Sequence, residues 1–249
     1  MASTRVTAPA LHVGATTPGA LARRAFSLSG VAPLGVFLAL HLVESARALR
    51  GEDAFNRAVA TVHGVPAVGL VLALLVYAPL ALHAAIGLWL TLARAPPATP
   101  TPYSRPVLLA MRATGVVALA FLALHLSEMR ALSAGPRLHG GELLTLLSAD
   151  LSSTSHGVPW WGLTYLVGTG AVTFHFVAGV WGLLARTPRV ADRVTRRWLA
   201  WAAGALGAAM WLLFVDVVVL HATGSRLVGR AASAPVSGEP CPPPGPTGP

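Results

Sequence analysis

Charge is scarce in this chain and cysteine almost absent. Of 249 residues only 11% are charged, 9 of them being acidic residues, and the single cysteine is Cys241. One thiol excludes, within this chain, thiolate-ligated clusters and covalent C-x-x-C-H attachment of a prosthetic group. Hydrophobic residues make up 54% of the sequence, a balance foreign to a soluble domain of this length. The net charge of +9 is not gathered into a soluble basic patch, because the arginines are interspersed with long apolar runs, so nucleic acid is not the expected partner.

What is present is a set of runs free of Lys, Arg, Asp and Glu: Ala25 to Val43, Ala58 to Ala93, Ala113 to Ser127, Leu151 to Ala185 and Trp198 to Val215. A membrane-crossing helix needs ~20 mostly apolar residues, so each run holds one span, the longer ones with a polar connector. The runs predict five transmembrane helices, over about 26–46, 64–93, 106–130, 159–185 and 197–222. The expected fold class is an all-α membrane protein. With the N-terminus inside, eleven arginines (5, 23, 24, 94, 105, 112, 186, 189, 193, 196 and 197) fall on inner segments against seven outside, which favours a cytoplasmic N-terminus. The expected organisation is a cytoplasmic segment over 1–24 with no signal peptide, a five-helix membrane domain over 25–222, and a disordered Pro/Gly-rich tail over 223–249.

Two duplicated segments, each centred on a histidine in an apolar run, carry the chemistry. Phe37-Leu38-Ala39-Leu40-His41-Leu42 recurs as Phe121-Leu122-Ala123-Leu124-His125-Leu126. His83-x3-Gly87-x-Trp89-x2-Leu92-Ala93-Arg94 recurs as His175-x3-Gly179-x-Trp181-x2-Leu184-Ala185-Arg186. Histidines within hydrocarbon are costly and mark functional sites. His41 and His125 precede Arg47 and Arg130 by 6 and 5 residues, about 8–9 Å from the outer boundary at the helical rise. His83 and His175 each precede an arginine by 11 residues, about 16 Å from the inner boundary.

The expectation is two bis-histidine metal centres at two depths. Zinc or copper usually takes more than two protein ligands at one level, whereas two histidines suit six-coordinate, non-covalent haem b, giving two haems and His41, His83, His125 and His175 as iron ligands. Gly87 and Gly179 follow their histidines by four residues, on the same helical face, where a missing side chain admits a flat macrocycle. Gly30 and Gly115 could do the same for the inner macrocycle, although small residues also serve plain helix packing in membranes.

As a set, these features resemble the five-helix, two-haem cytochrome b subunit of succinate:quinone oxidoreductases and quinol:fumarate reductases. The resemblance rests on Arg23-Arg24-x2-Ser27-x2-Gly30 leading to His41, Ala54-Phe55-Asn56, and Pro79-Leu80-x2-His83-Ala84-x2-Gly87-x-Trp89. It extends through Arg112-x-Thr114-Gly115 leading to His125, and Phe174-His175-Phe176-x2-Gly179-x-Trp181, so that residues 23–222 are covered. It implies that His83 and His175 hold the haem nearer the cytoplasm and His41 and His125 the outer one. It implies two partners on the cytoplasmic face, an FAD flavoprotein and an iron–sulfur protein. Electrons would pass between succinate or fumarate and a membrane quinone, with menaquinone the expected one, in a bacterial inner membrane. Family members often carry a histidine near the start of the first helix, where this chain has Phe26.

Around the ligands stand further candidates, each with an alternative reading. Arg24, Ser27 and Arg112 begin helices at the inner boundary and could bind haem propionates or simply anchor the interface. Quinone reduction needs groups that handle protons, and Glu44, Glu128, His156 and Asp216 are the catalytic candidates on the outer side, with His63, Arg130 and Trp160 as further polar or aromatic neighbours. Asp216 interrupts the apolar run of the last helix, as proton-relay carboxylates do, or is a buried Asp satisfied by a neighbouring helix. Two rivals remain at this stage: a di-haem quinol-oxidising subunit of another respiratory complex, and a haem-free transporter with histidines as proton carriers.

Overall fold

The structure, a computed structural model, describes residues 18–93, 102–134, 143–187, 190 and 192–227. The expected N-terminal segment through Thr17, Arg94, Arg189, His139, and the tail from Val228 with Cys241 lie outside the described residues. Among the described residues the chain is helical: α1 Pro18–Ser45, α2 Glu52–His63, α3 Val68–Leu72, α4 Ala78–Leu92, α5 Arg105–Ala134, α6 Leu143–Ser152, α7 Trp160–Leu184 and α8 Arg193–Thr223. Five stretches are long and apolar enough to cross a membrane: Leu21–Arg50, Val68–Leu92, Arg105–Arg130, Trp160–Leu184 and Arg193–Thr223. They match the five expected spans to within a few residues at each end.

The span Val68–Leu92 is not uniform. Between α3 and α4, Ala73–Tyr77 winds as a π-helix, and the Ala78 N–H donates to the carbonyl of Ala73, five residues back. Pro79 follows at once. Its ring nitrogen has no proton to give the Leu75 carbonyl, and a wider turn just before a proline relieves that mismatch. At the N-terminal end of the last span, the Thr195 N–H donates to Asp192 Oδ1 at 2.7 Å, so that Asp192 caps α8.

Two helices belong to connectors that the apolar runs do not predict as helical. α2 starts after Gly51, whose φ of 106° suits glycine, and it opens on Glu52 and Asp53, which complement the positive end of the helix dipole. α6 is a short apolar helix, and α2 packs against it. Phe55 of α2 and Leu151 of α6 are buried.

Contacts along the chain gather into two units. One comprises the described residues within Met1–Ala39, Ala67–Ala120 and Ala171–Ala208, the other those within Leu40–Pro66, Phe121–Gly170 and Ala209–Pro249. The first has Leu34, Leu38, Val76, Ala118, Val172 and Val177 in its interior; the second has Leu42, Phe121, Tyr165, Phe214, Val217 and Val218. Large apolar side chains such as Leu40, Leu75, Val167, Trp198 and Trp201 are exposed, as suits helices whose solvent is lipid. The chain is a multi-pass, all-α membrane protein.

Candidate functional site

Each unit contains one pair of the repeated histidines. In the first unit α4 contributes His83 and α7 His175, with ring centres 6.3 Å apart and planes at 75°. In the second, α1 contributes His41 and α5 His125, with ring centres 5.9 Å apart and planes at 61°. The pairing expected from equal depth is therefore met in space: His83 with His175, His41 with His125. All four rings are half-buried.

The first pair is anchored by the main chain. His83 Nδ1 donates to the carbonyl of Phe26 at 2.9 Å, and His175 Nδ1 to the carbonyl of Met111 at 3.0 Å. Both carbonyls stand four residues before a glycine. Gly30 follows Phe26 and Gly115 follows Met111, and in a helix the residue four positions on is the one over the carbonyl. A Cβ built at Gly30 would lie 2.7 Å from His83 Cε1, and one at Gly115 2.9 Å from His175 Cε1. These two glycines thus make room for the imidazoles themselves, a different use from the approach of a macrocycle that their spacing suggests.

Phe26 lies flat on His83 with ring centres 4.4 Å apart and planes at 11°. Ser29 Oγ donates to the same Phe26 carbonyl at 2.8 Å and stands 3.5 Å from His83 Nδ1. Gly87 and Gly179, in contrast, have only ordinary neighbours, Phe26 Cζ at 3.7 Å and Val31 Cγ2 at 3.5 Å from an ideal Cβ. Arg24 and Ser27 are half-buried on α1 in the turns before Gly30, and Arg112 adjoins Met111. Outside the spans, Tyr103 donates to the Ala178 carbonyl at 2.7 Å, and its ring occupies the face left bare by Gly182. Burial raises the Tyr103 pKa, with nearby Arg186 opposing the shift.

The second pair is anchored by side chains. His125 Nδ1 lies 3.0 Å from the Tyr165 hydroxyl, which in turn donates to Glu128 Oε2. His41 Nδ1 lies 3.8 Å from Glu44 Oε2, one turn on. Phe121 stacks on His125 and meets Tyr165 edge-on, at centre distances of 5.8 and 5.3 Å. Gly168 leaves the space that the Phe121 ring fills, since a Cβ there would overlap it. Glu44 and Glu128 therefore join the histidines in space. His156 sits in an exposed turn at φ 53°, with Ser155 Oγ at 3.2 Å from its Nδ1. Asp216 is buried in α8, where its Oδ1 accepts the Leu227 N–H at 2.7 Å. Buried His221, also on α8, meets Ser148 of α6 at 2.9 Å.

Tyr165, Ser29, Tyr103 and Ser148 are contacts that sequence reading did not single out. The chain has only 3 tyrosines, and a tyrosine inside an apolar span must find a partner for its hydroxyl. That was the available signal for Tyr165.

Such an arrangement can hold a metal with two protein ligands per centre. Among the described residues no three His, Cys, Asp or Glu side chains converge in a way that could hold a metal ion. An ion at either pair must draw its other ligands from elsewhere, as iron does from a porphyrin. Two imidazoles on opposite sides of one metal, at the usual bond of about 2.0–2.1 Å, have ring centres roughly 6 Å apart, and both pairs have that spacing. A metal-bound imidazole generally gives its other nitrogen's proton to an oxygen, which fixes tautomer and orientation. His83, His175 and His125 have such an oxygen at Nδ1, and the Glu44 carboxylate is near that of His41. The residues present fit haem.

No family profile matches the chain, and no solved structure does. Over 160 residues, 64% of this chain and 75% of the relative, the chain is 32% identical to the succinate dehydrogenase cytochrome b558 subunit of Bacillus subtilis (strain 168). With five apolar spans and that degree of identity over three quarters of the relative, the chain belongs to the family of succinate dehydrogenase cytochrome b membrane subunits.

Proposed function

We propose that this chain is a two-haem electron conduit, passing electrons between an iron–sulfur partner and a membrane quinone. The observation that carries this reading is the repeated histidine pair, present once in each unit at a spacing suited to one metal. Haem b, when bound, supplies one-electron chemistry to a chain whose own side chains have none. His83 and His175 hold the haem nearer the cytoplasm, and His41 and His125 the outer one. Gly87 and Gly179, which meet only ordinary van der Waals neighbours, put no side chain on the face beside each inner ligand. Arg24, Ser27 and Arg112 supply cationic and hydroxyl partners for propionates at the inner boundary.

The excess of inner arginines supports a cytoplasmic N-terminus, and the Bacillus subtilis relative supports a bacterial inner membrane. The flavoprotein with FAD and the iron–sulfur protein then dock on the cytoplasmic side and carry the dicarboxylate chemistry. Quinone, with menaquinone the expected type, reacts near the outer pair, where Glu44, Glu128, His156 and Asp216 are the ionisable groups that exchange its protons with the outer side. Moving charge across the membrane in this way couples the reaction to the membrane potential, worth about 2.3 kcal/mol per charge per 100 mV.

The reduced, purified protein should show haem b bands. Replacing His83 or His175 should abolish one haem, and replacing His41 or His125 the other, each leaving about half the haem b. Unchanged haem content after replacement of all four would overturn the ligand assignment and favour a haem-free transporter.

A further inference from the structure

The two histidine pairs differ in what stands at Nδ1, and for His125 the cause of the difference is Tyr165. His83 and His175 both end on neutral main-chain carbonyls. His125 ends on a phenol, and that phenol ends on a carboxylate. Tyr165 has one hydroxyl proton and gives it to Glu128 Oε2, so towards His125 its oxygen can only accept. Nδ1 is then the protonated nitrogen of His125, and Nε2 is the nitrogen left to bind a metal.

This chain of groups is held from several sides. Tyr165 is only 6% exposed and Phe121 8%, so the phenol cannot swing out to lipid without displacing the ring packed on it. Gly168, one turn after Tyr165 on α7, admits Phe121. Glu128 lies one turn after His125 on α5, which returns the relay to the helix it began on. Its second oxygen, Oε1, is buried and has no hydrogen-bond partner among the described residues, so Tyr165 is the donor this carboxylate has there.

We propose that Tyr165 is a positioning residue for His125, linking the imidazole N–H to the Glu128 carboxylate and thereby making the haem of His41 and His125 harder to reduce than its ligands alone would. The proposal rests on the reading that these two histidines ligate one haem. A ligand imidazole that donates toward a carboxylate is a stronger electron donor to iron, which favours the ferric state. A main-chain carbonyl does this less, so the effect is confined to one of the two centres.

The test uses membranes containing the full chain with its partner subunits, and reads the midpoint potential of each haem by redox titration of the absorption and electron paramagnetic resonance spectra. In Tyr165→Phe both haems should remain, and the midpoint of the His41/His125 haem should rise by on the order of tenfold in its reduction equilibrium, ~59 mV for one electron. The other haem should keep its midpoint. Glu128→Gln, which keeps the shape and removes the charge, should move the same haem in the same direction by less, and it stands as the test if Tyr165→Phe does not assemble. Retained haem with unchanged potentials in Glu128→Gln, or equal shifts of both haems, would overturn the proposal. Replacing His125 separates this from the underlying assignment: haem content unaffected by that change would sink the ligand reading, whereas loss of one haem without any shift in the Tyr165 and Glu128 variants would sink only the role of Tyr165.

Discussion

The unit with His83 and His175 fixes its imidazoles through helix backbones, and the unit with His41 and His125 fixes them through side chains. In the first, each Nδ1 meets a carbonyl that a glycine four residues later leaves accessible. In the second, the partners are Tyr165, Glu128 and Glu44, with Phe121 as the packing wall. A backbone anchor is indifferent to most side-chain changes but intolerant of added bulk at two positions. A side-chain anchor can be loosened or retuned one group at a time.

The comparison would be broken most sharply at the glycines. Gly30→Leu or Gly115→Leu should expel the imidazole of His83 or His175 from its carbonyl, removing one haem, about half of the haem b, while the other keeps its spectrum and potential. Haem content measured by reduced-pyridine absorbance checks this, and two intact haems in both variants would show that the backbone anchors are dispensable.

Next in size is Phe121→Ala, which deletes the ring lying on both His125 and Tyr165. Truncating a buried phenylalanine costs ~3–5 kcal/mol in soluble cores. Here the expected outcome is a lower melting temperature of the reduced haem signal of the His41/His125 centre, with partial haem loss confined to that centre. Equal loss from both would mean that Phe121 supports the fold at large rather than one pair.

A smaller effect is expected at Tyr103, whose hydroxyl anchors the segment before α5 to the Ala178 carbonyl of α7. Tyr103→Phe should cost about 0.5–1.5 kcal/mol, the usual net worth of one hydrogen bond, and leave both haem potentials unchanged. The pH dependence has a definite sign. Burial raises the Tyr103 pKa, so its contribution is complete below the unfolded value of about 10 and is lost as pH rises through the higher folded value. Thermal unfolding followed from pH 8 to 11 should show that alkaline loss in the parent chain and less of it in Tyr103→Phe.

The smallest change is expected from Ser29→Ala. Ser29 Oγ stands at 3.5 Å from His83 Nδ1, whereas the Phe26 carbonyl is at 2.9 Å and already accepts that proton. Haem content and potentials should stay as they are. A clear shift of the haem signal assigned to His83 and His175 would mean that this pair, too, depends on a side chain, and the contrast between the units would weaken.

The spans were legible in the sequence because lipid rewards one property, apolar length, that can be counted along a line. The histidine pairs were legible for a related reason: equal distance from a flanking arginine means equal depth, and duplicated flanks mark which helices correspond. The connectors were less so. α2 and α6 are short helices whose signal is faint beside the spans, and the π stretch over Ala73–Tyr77 is visible beforehand only as a proline in an apolar run.

Sequence by itself thus determined that this protein has five membrane spans and that its repeated histidines fall into two pairs, because hydropathy and helical rise are properties of the chain taken one residue at a time. Tertiary structure alone decided what each imidazole leans on. The Phe26 carbonyl is 57 residues from His83, the Met111 carbonyl 64 from His175, and the Tyr165 hydroxyl 40 from His125. Whether such groups meet depends on how each helix is rotated about its own axis when it packs, and depth in the membrane is the same for every rotation.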